Sequence, residues 1–180
     1  MSIRSIYLWP VAMPLLIVAM VLVVASANYL VQFPINDWLT WGALTYPVSF
    51  FVTDLTNRRF GPSSARKVVY TGFALAVVWS IWLSSPRIAL ASGSAFLVSQ
   101  LMDVAIFNRL RKRAWWQPPL FSSVIGSAVD TALFFALAFA GTALPWVTLG
   151  IGDYGVKVAI ALTLLIPWRA VARRTTLESE

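Results

Sequence analysis

Six apolar stretches follow one another along the chain, and each is close to the length of a bilayer span. A transmembrane helix needs about 20 mainly apolar residues. The pattern predicts spans at approximately residues 6–27, 38–56, 68–84, 88–107, 120–141 and 146–168. Each break contains a proline, which ends one helix or begins the next. We therefore expect an all-α integral membrane protein, with residues 1–180 forming a single bundle of six transmembrane helices.

Lysine and arginine residues are concentrated on one side of this predicted bundle. Twelve of the 14 precede span one, separate spans two and three or four and five, or follow span six: Arg4, Arg58, Arg59, Arg66, Lys67, Arg109, Arg111, Lys112, Arg113, Arg169, Arg173 and Arg174. Loops in the cytoplasm carry an excess of such residues. Both termini are therefore expected in the cytoplasm, which requires an even number of spans and agrees with six.

The composition indicates that this helical protein is surrounded by membrane lipid rather than by water. Hydrophobic residues make up 59% of the chain and charged residues 12%, against about 25% charged in a soluble domain. The net charge of +7 lies in short blocks between apolar runs, so membrane lipid rather than nucleic acid is the expected partner. The sequence contains no cysteine and no histidine, which excludes disulfides, thiolate or imidazole metal sites, and catalysis by these nucleophiles. We expect no cofactor, no metal ligands and no catalytic residues.

The first apolar run, from Ile6 to Ala27, superficially resembles a signal peptide because it ends in small residues. Its length of about 22 residues exceeds the usual signal-peptide core, and further spans follow it. We interpret it as a retained first helix.

Five ionisable residues fall inside the predicted spans: Asp54, Asp103, Asp130, Asp153 and Lys157. Charges at such positions are costly, so they usually face a cavity, a partner or a transport pathway. Asp130 and Lys157 lie near the middle of their spans. Asp54 and Asp103 lie near cytoplasmic ends, where arginines that follow are available partners, so a structural role stays open. Asp153 and Lys157 have i, i+4 spacing and are compatible with either an intrahelical pair or a site.

Small and polar residues accompany three of these aspartates along one helix face each. The strips are Ser92, Ser99 and Asp103 with Gln100 beside them, then Ser123, Ser127, Asp130 and Thr131, then Gly150, Asp153, Tyr154 and Lys157. Close helix packing in lipid also uses small and polar residues. Because each strip contains an aspartate, a shared polar cavity is favoured.

Arg87 is unusual because it lies on the side that otherwise holds little positive charge. It also opens a helix, whose dipole disfavours a cation there. We expect it to pair with a carboxylate or to contribute to function.

Several stretches together resemble the queuosine precursor transporter family, also called the vitamin uptake transporter group. The resemblance runs from about Tyr46 to Pro167, and the matching stretches are residues 52–61, 87–92, 100–111, 115–116, 123–131 and 153–157. It implies a six-helix protein that imports the 7-deazaguanines preQ0 and preQ1 across the bacterial inner membrane. The connection Ser84–Arg87 is shorter than in longer members, which puts a lid-like role of that loop in doubt.

The polar residues of these stretches suit a guanine-like ligand. One carboxylate can accept the ring N1–H and the amino group together, and a donor side chain can bond O6. An aminomethyl cation, as in preQ1, would suit a second aspartate. The predicted substrate-binding residues are Asp54, Asn57, Arg87, Gln100, Asp103, Asn108, Asp130, Asp153 and Lys157. Among these, Asp130 and Asp103 are favoured for contact with the base.

Two other classes of function stay open at this point. A membrane-embedded, metal-dependent enzyme would use clustered carboxylates, as Asp54 and Asp103 could provide. Alternatively, the chain could be the substrate-binding or assembly subunit of a larger transporter. No phosphate-binding loop of the Gly-x-x-x-x-Gly-Lys-Ser/Thr type occurs, so ATP hydrolysis by this chain is not expected. A homodimer and a separate energising module are both compatible with the sequence.

Overall fold

Within the described residues, the fold consists of seven helices and one short hairpin. The computed structural model describes residues 3–177 and, within them, the side chains of residues 11–75, 77–79, 81–82, 84–170 and 172. The elements are α1 Ile3–Leu30, β1 Pro34–Asn36, β2 Leu39–Thr40, α2 Gly42–Thr45, α3 Val48–Phe60, α4 Pro62–Leu83, α5 Pro86–Leu110, α6 Gln117–Phe139 and α7 Trp146–Leu177. Arg4, Arg173 and Arg174, which enter the orientation argument, lie outside the described side chains.

Local sequence signals explain several helix ends. Gly61 has a φ of +85°, a conformation that glycine adopts without steric cost, and it separates α3 from α4. Ser85 caps α5 by accepting a hydrogen bond from the Ile88 amide, and Pro86 follows it at the first helical position. These signals produce the short connections by which α3, α4 and α5 follow one another and pack together.

The span predicted over residues 38–56 begins in a hairpin strand and a short helix rather than in one continuous helix. The antiparallel strands β1 and β2 pair Pro34 with Thr40, and the four-residue helix α2 follows them. Pro47 then interrupts the path between α2 and α3, because proline has no amide hydrogen to donate to the preceding turn. Tyr46 and Pro47 keep helical φ and ψ angles, so residues 42–60 form a helix that is broken once.

This broken helix lies among the others rather than at the edge. Helix α3 contacts α1, α4, α5, α6 and α7, while α5 packs most extensively on α6. The buried residues of α3 include Ser49, Thr53, Asp54, Thr56 and Asn57. A central helix with so many buried polar groups must find partners on its neighbours, which makes it a scaffold for a polar site.

Four of the helices in the described part of the chain are long and apolar enough to cross a membrane. These segments are Val11–Leu30, Pro86–Leu110, Gln117–Phe139 and Trp146–Ala170. They coincide with the predicted spans one, four, five and six. The protein is therefore an all-α, multi-pass membrane protein. Helix α4 corresponds to the predicted span three, and the broken helix takes the place of span two.

One end of the bundle collects the basic residues. Arg111, just after α5, donates to the backbone oxygen of Asn57 near the end of α3. Trp168 of α7 donates its indole N–H to the backbone oxygen of Trp115, between α5 and α6. We call this the basic end. At the opposite end the hairpin packs closely on α7, where a Cβ on Gly152 would overlap the backbone oxygen of Trp38.

Candidate functional site

A lysine and two aspartates form an ion-paired group between α6 and α7. The Nζ atom of Lys157 lies 2.8 Å from Oδ2 of Asp130 and 2.6 Å from Oδ2 of Asp153. All three residues are buried, with Lys157 only 3% exposed. We call Asp130, Asp153 and Lys157 the triad. Since two carboxylates face one ammonium group, the triad carries one net negative charge when all three groups are ionised.

Neighbouring side chains hold the triad in place. Tyr46, from the break in the central helix, donates its hydroxyl to Oδ1 of Asp130 at 2.7 Å, and Ser99 of α5 donates to the same oxygen at 3.2 Å. Thr131 donates to Asp153 at 2.7 Å and accepts from Lys157 at 3.0 Å. The ammonium group also lies 4.7 Å from the centre of the Tyr46 ring, within the range of a cation–π contact.

A narrow cavity of about 20 Å³ lies against the triad, on the side away from the basic end. We call it the distal cavity. Its lining is Ala27, Asn28, Val31, Gly42, Tyr46, Ser92, Asp130, Phe134, Asp153 and Lys157. A mostly apolar wall with a few convergent polar groups is typical of small-molecule sites. Ser92 donates to Asn28 Oδ1 at 2.6 Å, which adds a polar pair from α1 and α5 opposite the triad.

A second group of buried acids lies nearer the basic end. Asp54 of α3 accepts hydrogen bonds from Ser122 at 3.1 Å and from Ser123 at 3.4 Å, both in the first turns of α6. Asp103 of α5 lies beside Asp54 and Ser122. Neither carboxylate oxygen of Asp103 has a donor, although the residue is 0% exposed. We call Asp54 and Asp103 the acidic pair.

A second narrow cavity, of about 20 Å³, lies between Asp54 and α7. We call it the basic-side cavity. Its lining is Pro47, Phe50, Phe51, Asp54, Pro119, Ser123, Ser127, Lys157, Ala161, Leu164, Leu165 and Trp168. Lys157 lines both cavities. Lys157 and its two ion pairs therefore lie between the distal cavity and the basic-side cavity.

The expectation of one shared cavity is corrected by this arrangement. Asp130, Asp153 and Lys157 come together as predicted, while Asp54 lines the other cavity. Asp103 lines neither of the two, so the pairing of Asp103 with Asp130 around one ligand does not match the geometry. The arginines that follow Asp54 and Asp103 do not pair with them among the described residues, because both carboxyl groups lie deeper than the end of the bundle.

Two other predicted residues are held by neighbouring helices. Gln100 accepts from Thr53 at 2.6 Å and donates to Ser49 at 2.9 Å. Asn57 donates to the Val104 backbone oxygen at 3.1 Å and accepts from Arg111 at 2.6 Å. Both side chains connect α3 to α5, and neither lines the two cavities.

The remaining two predicted residues line neither of the two cavities. Arg87 donates to the backbone oxygens of Leu137 and Ala140 at the end of α6, instead of to the carboxylate that we expected. A cation is unfavourable at the start of its own helix but favourable at the end of the neighbouring one, which explains its position. Asn108 is exposed near the end of α5.

Sequence reasoning missed the partners that complete the triad. Tyr46 was noted only as the start of the family resemblance, and Asn28 was not singled out. Pro47 carried the available signal, because a proline inside an apolar span indicates a break at which neighbouring side chains can face a cavity. The contact between Asn28 and Ser92 joins residues 64 positions apart, so no local pattern could show it.

The sequence is similar to those of known membrane transporters. A family model described as "Putative vitamin uptake transporter" matches residues 40–85 and 79–172. This region contains the triad and the acidic pair. The chain belongs to this family. Its placement agrees with the resemblance noted in the sequence and with a multi-pass protein of the bacterial inner membrane.

Individual relatives cover most of the chain. The "Probable queuosine precursor transporter" of Haemophilus influenzae is 36% identical over 82% of this chain and 80% of its own length. The "Queuosine precursor transporter" of Escherichia coli (strain K12) is 36% identical over 83% of this chain and 81% of its own. A relative from Bacillus subtilis is 28% identical over 75% of this chain. No solved structure matches the sequence significantly.

Proposed function

We propose that this protein imports queuosine precursors of the 7-deazaguanine type, preQ0 and preQ1, across the bacterial inner membrane. Two relatives that are 36% identical over about four fifths of the chain are named as queuosine precursor transporters, one of them as probable. The observation that carries the assignment to this chain is the distal cavity, because two carboxylates, a lysine and a tyrosine converge on its mostly apolar lining.

The groups of the distal cavity complement the edge of such a base. A carboxylate of Asp130 or Asp153 can accept the N1–H and amino hydrogens together, and Lys157 can donate to O6. Tyr46 and Phe134 provide apolar surface against which the flat ring can pack. A site that pairs each polar atom of its ligand rejects analogues that leave one unpaired. We therefore place the base at the triad.

The net negative charge of the triad bears on the choice between the two precursors. The aminomethyl group of preQ1 is a cation, and its entry would neutralise the charge that the triad holds in excess. An uncompensated charge is costly at this depth in the membrane. We therefore propose that the site binds preQ1 more tightly than preQ0.

Lys157 separates the distal cavity from the basic-side cavity in this conformation. Transport requires a second conformation in which the ligand reaches the other side, and the ligand drives the change only through its different affinity for the two states. When a base takes over the hydrogen bonds of Asp130 and Asp153, Lys157 is released from part of its pairing. We propose that this exchange opens the way to the basic-side cavity.

The remaining predicted residues have supporting roles in this proposal. Asn57 and Gln100 fix the central helix to α5, and Arg87 fixes the start of α5 to the end of α6. Asp54 and Asp103 serve transport without contacting the base, and Asn108, which is exposed, does not contact it either. The chain is then a transporter rather than an enzyme, with the broken helix and α4 completing six spans and both termini in the cytoplasm. Neither a second copy nor a separate energising module is needed to form the distal cavity.

The test uses detergent-solubilised protein and a strain that lacks its own precursor transporter. PreQ1 and preQ0 should raise the melting temperature of the protein, preQ1 by more, while guanine has a smaller effect and adenine none. Expression of the chain should restore queuosine in the tRNA of cells that are fed preQ1. Absence of both thermal stabilisation and rescue would contradict the proposed function.

A further inference from the structure

The acidic pair differs from every other ionisable group inside the described bundle because it has neither a cation nor a full set of donors. Asp54 receives two serine hydroxyls, whereas both oxygens of Asp103 are without a donor. Neither residue forms an ion pair within the described part of the chain. Two carboxylates with no positive partner cannot both stay ionised at this depth at reasonable cost.

A proton on the pair removes this conflict. When one carboxyl group is protonated, it becomes a donor, and the other carboxylate is its natural acceptor. Adjacent carboxyl groups then share one proton and titrate as a unit. The serine hydroxyls of α6 already donate to Asp54, so Asp103 is the position at which the missing hydrogen would satisfy an unpaired atom.

We infer that Asp54 and Asp103 form the binding site of the proton whose downhill movement drives substrate import. The inference rests on the proposed transport function and adds its energy source. Asp54 lines the basic-side cavity, which gives the pair a route to that side of the membrane. The sequence has no ATP-binding loop of its own, and a proton gradient is the energy source that a buried carboxyl pair can use.

The charged groups around the pair leave it available for a proton. On α7, Lys157 lines the same cavity as Asp54 but bonds Asp130 and Asp153. Beyond the end of α5, Arg111 bonds Asn57. The basic side chains of α4, Arg66 and Lys67, are exposed near its start. Helix α6 presents serines to the pair, and the described side chains of α1 in the membrane carry no charge.

A proton fits this location better than a metal cation. Metal cations such as Ca²⁺ and Mg²⁺ require about six or more oxygen ligands around an open space. Asp103 does not line the cavity in front of Asp54, and the nearby serine hydroxyls point their hydrogens at Asp54. A proton needs only the two carboxyl oxygens between which it lies.

The pair is placed where its protonation can bias the conformation. Asp54 belongs to the central helix, Asp103 to α5, and Ser122 and Ser123 to α6. Loss of the shared proton would make the two carboxylates repel each other and push α3 away from α5. States that differ in this separation would bind the proton with different affinity, which is the requirement for coupling.

The test on the unaltered protein uses liposomes that contain purified protein and a pH-sensitive dye. Addition of preQ1 outside, with the membrane potential clamped at zero, should acidify the lumen. A pH gradient of one unit, alkaline inside, should support about tenfold accumulation of preQ1 if one proton moves with each substrate. A protonophore should abolish this accumulation.

Two variants then assign the coupling to the pair. Asp103→Asn and Asp54→Asn should lose the gradient-driven accumulation but keep preQ1 binding and the exchange of internal for external preQ1. Asp37→Asn makes the same chemical change on an exposed loop and should behave as the unaltered protein does.

The outcomes separate the two proposals. Accumulation driven by a sodium gradient and not by a pH gradient would overturn the proton assignment while preQ1 transport stands. Retention of pH-driven accumulation in both variants would remove the pair from coupling. If the unaltered protein neither binds nor exchanges preQ1, the proposed function itself fails.

Discussion

The two buried acidic groups of this bundle contain the same residue type in very different surroundings. Asp130 and Asp153 both form an ion pair with Lys157. Asp130 also accepts a hydrogen bond from Tyr46, and Asp153 accepts one from Thr131. Asp54 has only serine hydroxyls as donors, and Asp103 has no hydrogen-bond donor. The comparison shows two ways to stabilise a buried carboxylate. A lysine can compensate its charge permanently, or a proton can do so reversibly. The first arrangement suits recognition of a ligand, and the second suits an exchangeable proton.

Removal of the lysine should have the largest effect. Lys157→Met would leave two ionised carboxylates without their cation, and loss of one partner of a buried ion pair costs about 3–5 kcal/mol. We expect a fall in melting temperature on the order of 10 °C together with loss of transport. Differential scanning fluorimetry of purified protein measures the first effect, and cell uptake the second.

Lys112→Met is the matched control for this change, because Lys112 is exposed after α5. It should leave the melting temperature within about 1 °C of the original value. Equal effects of the two substitutions would contradict the role of Lys157 in compensating the buried charge.

Neutralising one aspartate in each group should sharpen the contrast. Asp130→Asn should raise the dissociation constant of preQ1 by about 100-fold, since a hydrogen bond to a charged group contributes about 1.5–3 kcal/mol. Asp103→Asn should leave that constant within about threefold, because Asp103 does not line the distal cavity. Isothermal titration calorimetry measures both, and a reversed ranking would place the base at the acidic pair.

A smaller effect is expected when the triad loses a neighbour and keeps its charges. Tyr46→Phe removes the hydroxyl that donates to Asp130 at 2.7 Å and should weaken preQ1 binding about threefold to tenfold. Tyr70→Phe is the control, since Tyr70 is half exposed on α4. An unchanged affinity in Tyr46→Phe would show that Asp130 does not depend on this bond.

The smallest effect should come from Arg87, which joins two helix ends and touches neither acidic group. Arg87→Gln should lower the melting temperature by about 2 °C or less and leave preQ1 uptake unchanged. Arg113→Gln, at an exposed position on the opposite end, provides the comparison. A large loss of uptake in Arg87→Gln alone would return this residue to the substrate path.

The sequence predicted the positions of the helices better than it predicted the contacts between them inside the bundle. Four spans follow from long apolar runs, since lipid requires such runs wherever the chain crosses it. The broken helix was read as continuous because Tyr46 and Pro47 lie inside an apolar stretch, and their effect depends on what packs around them. The family resemblance supplied the class of protein, which the family comparison confirms.

The sequence singled out the three residues of the triad but did not predict how the buried polar residues are grouped. The i, i+4 spacing of Asp153 and Lys157 was compatible with an intrahelical pair or a site, and the structure shows the ion pair. Asp103 was assigned to the same ligand as Asp130 because each lies on a polar face of its own helix. In the structure, Asp130 lines the distal cavity and Asp103 does not. Ser99 of the same strip does reach Asp130, while Ser92 reaches Asn28. Which polar residue meets which neighbour depends on contacts between distant parts of the chain.

Accessibility of single thiols tests the central claim most directly, that the base occupies the distal cavity and that Lys157 separates it from the basic-side cavity. The chain contains no cysteine, so Val31→Cys in the distal cavity and Leu164→Cys in the basic-side cavity each introduce one reporter. A small, membrane-impermeant thiol reagent should label Val31→Cys from outside the cell, and preQ1 but not adenine should protect it. Leu164→Cys should be labelled only in inside-out vesicles. Labelling of both thiols from the same side, or labelling of Val31→Cys that preQ1 does not slow, would contradict the account.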